Sequence, residues 1–261
     1  MAMTIWHIEQ KVVKLQNPIL IEGLPGIGNV GKIAVDFLID ELKAKKIATL
    51  HASNFPHTVF VNEDNLVDLP TIEFWLAKAK RDIILLSGDF QPSDEESSHE
   101  FCFKVLELLQ SMKCKEMVTL GGIGLQQVPE NPRVFCTANS KTIIKQWQKA
   151  KLNNQIYGVV GPIVGVTGLL VGLASRYGIE AIALLGETFG HPMYVGVKGS
   201  KAILTALKDH LGIKIDLKKL DKAILESEQE IKRSGELQNI SRQTAMNKLK
   251  EKIDTDQRYI G

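Results

Sequence analysis

The sequence predicts an α/β protein: a three-layer sandwich in which a mixed sheet lies between helices. Short apolar runs alternate with helical patterns along most of the chain. Most of those runs are continuously apolar, the mark of strands buried on both faces. Between residues 58 and 75, three strand-like pieces are separated only by turn residues, so part of the sheet is antiparallel. With 261 residues, 44% hydrophobic and 24% charged, the chain has material for a substantial core.

The elements follow in order. A strand over Ile19 to Ile21 leads through a glycine-rich loop to a helix over Ile33 to Leu42, and a second strand covers Ile47 to Leu50. Thr58 to Asn62, Leu66 to Leu69 and Ile72 to Trp75 read as a meander, punctuated by Asn62, Asp64, Asn65 and Pro70. Strands over Ile83 to Leu86, Met117 to Leu120, Ile156 to Val160 and Ile182 to Leu185 alternate with helices. Those helices span Ser98 to Met112, Ser140 to Lys149, Ile163 to Tyr177 and Ser200 to Leu211.

After Ile213 the pattern changes. Asp216 is a helix N-cap, and Leu217, Leu220, Ile224 and Ile231 follow helical spacing. Gly235 interrupts, and a charged helix resumes over Ile240 to Ile253 with Met246, Leu249 and Ile253 on one stripe. The expected organisation is a sandwich domain over 1–213, a helical appendage over 214–253 and a flexible tail over 254–261.

Composition excludes several functions. A net charge of +2 makes no case for nucleic acid or an anionic membrane. Residues 156–175 carry no charge, but Gly158, Gly161 and Pro162 split them into a strand and a helix too short to span a bilayer. Cys102, Cys114 and Cys136 form no Cys-x-x-Cys pair and read as buried thiols in a reducing cytosol. The six histidines are scattered, so no metal site is expected. The first ten residues lack a signal-peptide pattern.

The loop Glu22-Gly-Leu-Pro-Gly-Ile-Gly-Asn-Val-Gly-Lys32 resembles a nucleotide site and departs from it at decisive positions. Read as a dinucleotide fingerprint, it lacks the acidic residue that holds a ribose about 20 residues on. Read as a P-loop, it has Ile33 where magnesium needs a hydroxyl, and Pro25 removes a backbone donor. Close packing accounts better for its glycines. Other strand-end loops are Ser87 to Pro92, Gly121 to Gly124 and Gly186 to Pro192. There Asp89 or Glu187 offers a general base and His191 a proton carrier. Each also has a structural reading, as a loop cap or a backbone-bonded group. Ser87 lacks the glycine that precedes a nucleophile at an elbow.

Taken together, Ile21-Glu-Gly-Leu-Pro-Gly-Ile-Gly-Asn-Val-Gly31, Leu85-Leu-Ser-Gly-Asp-Phe-Gln-Pro92, Thr119-Leu-Gly-Gly-Ile-Gly124, Val160-Gly-Pro-Ile-Val-Gly-Val-Thr-Gly168 and Leu185-Gly-Glu-Thr-Phe-Gly-His-Pro192 resemble the proteasome assembly chaperone family, particularly its archaeal members. The resemblance covers roughly residues 15–210. It implies a nucleoside-phosphorylase-like sandwich without an established catalytic site or cofactor. It also implies a cytoplasmic homo-oligomer that assembles, or docks on, the proteasome core particle. Docking members insert a C-terminal hydrophobic-Tyr-any tripeptide between core-particle α-subunits. This sequence ends Gln257-Arg-Tyr-Ile-Gly261, with tyrosine third from the end instead of second. One extended residue is about 3.3 Å, so Tyr259 takes the hydrophobic position and Ile260 the tyrosine slot if the carboxylate register is kept. Tyr259, Ile260 and Gly261 are therefore the expected partner-binding residues of a non-enzymatic, ATP-independent chaperone or adaptor. The alternative is a nucleoside phosphorylase or hydrolase using Asp89, Glu187 and His191. A third reading, nucleotide-gated assembly, rests on Lys32.

Overall fold

The computed structural model describes residues 4–229 apart from 93, 151, 157, 159 and 160. Its strands are β1 (Trp6–Gln10), β2 (Ile19–Glu22), β3 (Lys45–Ala52), β4 (Phe60–Val61), β5 (Val67–Asp68), β6 (Ile72–Ala77), β7 (Ile83–Gly88), β8 (Glu116–Leu125), β9 (Val134–Ala138) and β10 (Glu180–Phe189). Its helices are α1 (Val30–Glu41), α2 (Glu95–Ser111), α3 (Lys141–Gln146), α4 (Val166–Ala174) and α5 (Val197–Leu211). Eight strands make one mixed sheet in the order β1-β3-β6-β7-β2-β8-β10-β9. The central strands β7, β2, β8 and β10 are parallel, and β1, β3, β6 and β9 pair antiparallel around them.

Burial explains why β2 sits in the middle. Ile19, Leu20 and Ile21 are all fully buried, which requires cover on both faces. Leu20 turns toward α2 and α4, in one cluster with Ile84, Leu86, Phe101, Val105 and Leu170. Ile19 and Ile21 turn to the other face by the two-residue period of a strand. There α1 and α5 pack on each other and on the sheet. The α/β sandwich with a mixed sheet is thus the observed fold.

Local chemistry sets the helix boundaries. Asp94 caps α2 by accepting from the Ser97 amide at 2.8 Å, and Glu95 and Glu96 favour its first turn. The helix therefore begins three residues before Ser98. Ser140 caps α3 in the same way. The helix expected over Ile163 to Tyr177 is α4 followed by a 3-10 turn at Ser175–Tyr177. It closes at Gly178, whose φ of 67° suits a residue without a side chain.

Three readings change. The segment over 58–75 is no single meander: β4 and β5 form their own two-stranded ribbon. β6 instead joins the main sheet between β3 and β7. The strand expected over Ile156 to Val160 falls largely outside the described residues; Ile156 is irregular and Gly158 lies in a turn. Finally, β1 and β9, absent from the sequence reading, form the two edges of the sheet. Asn153 exchanges backbone bonds with β9, its amide donating to Val134 and its carbonyl accepting from Cys136.

The sandwich lies within a first compact unit ending at Lys218. Asp216 accepts from the Lys218 amide at 3.1 Å, a capping bond at the 3-10 turn Leu217–Lys219. Residues 220–229 are helical. The helix expected over Ile240 to Ile253 and the tail lie outside the described residues.

Missing side chains draw the central elements together. A Cβ on Gly23 would run into the Gly31 carbonyl, and one on Gly31 into the Leu120 carbonyl of β8. A Cβ on Gly122 would strike the Ile27 carbonyl. The Gly31 contact is backbone on backbone, so Gly31→Ala has no side chain to push aside. We expect a loss of about 2 kcal/mol or more, against a gain near 1 kcal/mol from helix propensity. Gly172→Ala, in α4 where an added Cβ meets nothing, is expected to be neutral or stabilising. Urea unfolding of the two variants beside the parent chain checks the contrast.

Candidate functional site at the strand ends

The carboxyl ends of β7, β2, β8 and β10 lie at one edge of the sheet, where ligands bind in open α/β folds. A cleft of about 390 Å³ opens there between the glycine loop, β8 and the start of α4. Its walls are mostly apolar or glycine backbone, including Leu24, Pro25, Ile27, Ile163 and Val164; Gln91 and Thr167 add polar side chains. Gln91 Oε1 accepts from the Val166 amide at 3.3 Å, occupying a donor at the start of α4.

The glycine loop spends several of its amides on neighbouring backbone and side chains. The Gly23 amide donates to the Leu86 carbonyl, Leu24 to the Glu22 carboxyl and Asn29 to the Gly26 carbonyl. The Gly28 carbonyl accepts from Gly196, at the start of α5. Gly28, at φ 61°, packs against Thr188, whose buried hydroxyl has no hydrogen-bond partner among the described residues. Lys32 is held by Asp36 at 2.9 Å and reaches Ser87 at 3.4 Å. It lines a separate hollow with Asp36, Ser87 and Asp89.

The three acid–base candidates are not brought together at the cleft. Asp89 accepts from the Thr71 amide at 2.8 Å and joins the start of β6 to the end of β7. Glu187 is buried on β10 and receives Arg133 through its amide and its guanidinium. Burial alone would raise its pKa, but the Arg133 bonds and charge outweigh that and hold it below the usual carboxylate range. His191 stacks on Phe189 at 5.5 Å and accepts from the Met193 amide through Nδ1. Each is spent on local structure. Tyr259, Ile260 and Gly261 lie outside the described residues.

The sequence reading passed over Glu22. This carboxyl ends β2, is fully buried, and accepts from Leu24 and from Thr167 Oγ1 at 3.5 Å. Burial raises its pKa to about 8, against a smaller lowering by those bonds. The residue was visible as a lone charged group closing an apolar strand buried on both faces. Cys102, Cys114 and Cys136 are free and buried, and burial raises each thiol pKa. Among the described residues, no group of His, Cys, Asp and Glu could hold a metal, and no helix is long and apolar enough to cross a membrane.

The same edge gathers apolar surface. Every exposed large apolar side chain among the described residues, Val12 and Leu225 excepted, belongs to it. Ile27 and Val164 flank the cleft, and Met193 and Val195 follow β10. The β4–β5 ribbon rises there too: Leu50 of β3 pairs with Ile72 of β6, which pairs with Gly88 at the end of β7.

The sequence model of the PAC2 family matches residues 20–234. The chain belongs to that family. It is 34% identical to Pyrococcus furiosus PbaB, an archaeal proteasome activator, over 88% of this chain and 98% of that one, with a TM-score of 0.82. Against P. furiosus PbaA, an archaeal homolog of proteasome-assembly chaperone, identity is 25% over 85% and 94% of the two chains, with a TM-score of 0.71. An uncharacterized Methanocaldococcus jannaschii protein is 29% identical over 100% of this chain and 99% of its own length.

Glu22 generates a pH prediction. Its folded pKa lies above its ordinary 4.5, so the folded chain holds the extra proton between pH 4.5 and about 8. The stability that Glu22 contributes is greatest below that window, falls as pH rises through it, and levels off above about 8. Glu22→Gln has no proton to lose. Its melting temperature should exceed the parent's by roughly 5 °C at pH 9, with little difference at pH 5. Scanning calorimetry at both pH values checks this.

Proposed function

We propose that this protein is a non-enzymatic proteasome assembly chaperone or core-particle-binding adaptor, working in the cytoplasm as a homo-oligomer through protein–protein contacts. The observation that carries the reading is the contrast at the strand-end edge. The titratable residues Asp89, Glu187 and His191 are engaged in local bonds, while exposed apolar side chains flank the cleft (Ile27, Val164) and follow β10 (Met193, Val195). The likeness to PbaB over nearly its whole length supports the same reading. The engagement of Lys32 by Asp36 favours action without ATP.

In this reading the last three residues, Tyr259, Ile260 and Gly261, contact the core-particle α-subunits. The polar spacer from Asp254 sets them off from a helical appendage over 214–253. Two apolar side chains and a carboxylate bind weakly alone. Several tails on one oligomer gain through effective concentration.

A pull-down of core-particle α-subunits tests this. The intact chain is expected to capture them, and a chain lacking Tyr259 to Gly261 to lose most of that capture. Equal capture by both removes the tail from the mechanism, and capture by neither defeats the proteasome reading.

A second reading, a small-molecule enzyme of the nucleoside phosphorylase or hydrolase type, is favoured by one observation. The protonatable Glu22 lies buried beside Leu24 and Thr167, which line the 390 Å³ cleft. A ligand at a hundred times its dissociation constant would add about 2.7 kcal/mol of stability. On the chaperone reading, a panel of nucleosides with and without phosphate leaves the melting temperature unchanged. A shift of several degrees that disappears in Glu22→Gln supports the enzyme instead.

A further inference from the structure

The charge of the chain is nearly balanced, at +2, but it is unevenly spread. At the edge opposite the strand-end cleft, where the parallel strands begin, the chain crosses beneath the sheet from β1 to β2. On the way the Lys14 carbonyl accepts from Lys78, which follows β6, and the Gln16 carbonyl from Asp82, which precedes β7. Between this crossing and the end of α2 lies a hollow of about 550 Å³, lined by Lys11, Lys113, Val12, Val13, Leu15 and Met112 among others. Arg81 donates to the Asn17 carbonyl and Cys114 to that of Pro18, so Lys80 and Lys115, each one residue along, stand beside the hollow. Lys11, Lys14, Lys80, Lys113 and Lys115 are all exposed. Two carboxylates of this edge, Asp82 and Glu116, are taken by Lys78 and Arg81. Among the described residues, no carboxylate pairs with the other five ammonium groups.

We propose that this hollow takes an acidic segment of a partner protein, with carboxylates on Lys11 and Lys113 and an aliphatic side chain against Val12, Val13 and Leu15. A recess ringed by one sign of charge concentrates the opposite sign. Unpaired lysines gathered in one place repel one another, and a partner bearing carboxylates relieves that repulsion. The lining decides between anionic partners. It holds no aromatic ring on which a base could stack and no arginine to fork a phosphate, which argues against nucleic acid. A recess accepts a chain segment, whereas a bilayer surface calls for a basic face that lies flat on it. Val12 stands fully exposed and gives an aliphatic side chain of the segment something to cover. Backbone bonding is on offer too. The Lys11 amide bonds Ile47 of β3, so by the alternation of antiparallel pairing the Gln10 N–H and C=O point away from β3. Among the described residues, no strand lies beyond β1, and Gln10 lines the hollow. Free main-chain groups at a sheet edge recognise an extended peptide. This surface is separate from the strand-end edge, and the inference asks nothing of the proteasome reading.

Fluorescence anisotropy of a labelled peptide of repeating Asp-Leu-Glu-Val, titrated with the full chain, is the test. The peptide is expected to bind in the roughly micromolar range, and to bind about tenfold more weakly when salt rises from about 50 to about 500 mM. K11E/K113E should lose at least about tenfold in affinity, and K11R/K113R should keep the parent's. The same peptide with Asn and Gln in place of its acids should not bind. Val12→Asp, at a fully exposed position, should weaken binding as well. All three lining positions are exposed, so an unchanged melting temperature checks that the variants fold. No binding by the parent, binding by K11E/K113E or V12D that equals the parent's, or equal binding of the uncharged peptide overturns the inference. A single-stranded oligonucleotide or phosphatidylserine vesicles bound more tightly than the peptide also overturns it, and assigns the edge to nucleic acid or to a membrane.

Discussion

The contact on which the strand-end edge depends is one between bare backbones. Gly23 at the end of β2 meets Gly31 in α1, and Gly31 rests on the Leu120 carbonyl of β8. With α1 seated that low, the Val30 carbonyl comes within reach of the Ser200 hydroxyl in α5. The Gly28 carbonyl likewise meets the Gly196 amide at 2.8 Å. One close approach thus propagates from β2 through α1 to α5, and α5 returns it to β10 where Gly199 lies against the Glu187 carbonyl. Beside this contact, the Gly23, Leu24 and Asn29 amides are taken up by Leu86, Glu22 and Gly26. Dispersion and excluded volume, which need close approach, set the architecture here.

Electrostatics at the edge follows from that packing. Glu187 has a charged partner and stays ionised; Glu22 has neutral partners, the backbone of Leu24 and Leu120 and the Thr167 hydroxyl, and is better protonated. Two carboxyls near the ends of parallel strands on either side of β8 therefore differ in charge at neutral pH because of their surroundings. Asp89 bonds Thr71, joining the ends of two neighbouring strands. None of these groups is placed against another as an acid–base pair would be.

Much of this was legible in the sequence. Runs such as Ile19-Leu-Ile and Ile83-Ile-Leu-Leu announce buried parallel strands, and the glycine loop was read as a packing device. The close contacts of Gly23, Gly31 and Gly122 agree with that reading. Edge strands were harder. β1 alternates Trp6 and Ile8 with His7 and Glu9, a half-buried pattern too short to separate from loop. β9 owes its pairing to β10 and Asn153, which local sequence does not encode. Glu22 is marked in the sequence only as the lone charge closing the apolar run Ile19 to Ile21. The separation of β4 and β5 from the sheet is set by where β6 pairs, a long-range choice invisible to short-range patterning.

Asn153 has a further consequence for how copies of the chain can meet. By bonding Val134 and Cys136 it takes up backbone groups on the outer side of β9, which would otherwise invite a foreign strand. Lateral growth of the sheet, the route by which open β-structures run into fibres, is obstructed at that flank. A protein that displays its greasy surface elsewhere can then associate there without also polymerising sideways from β9.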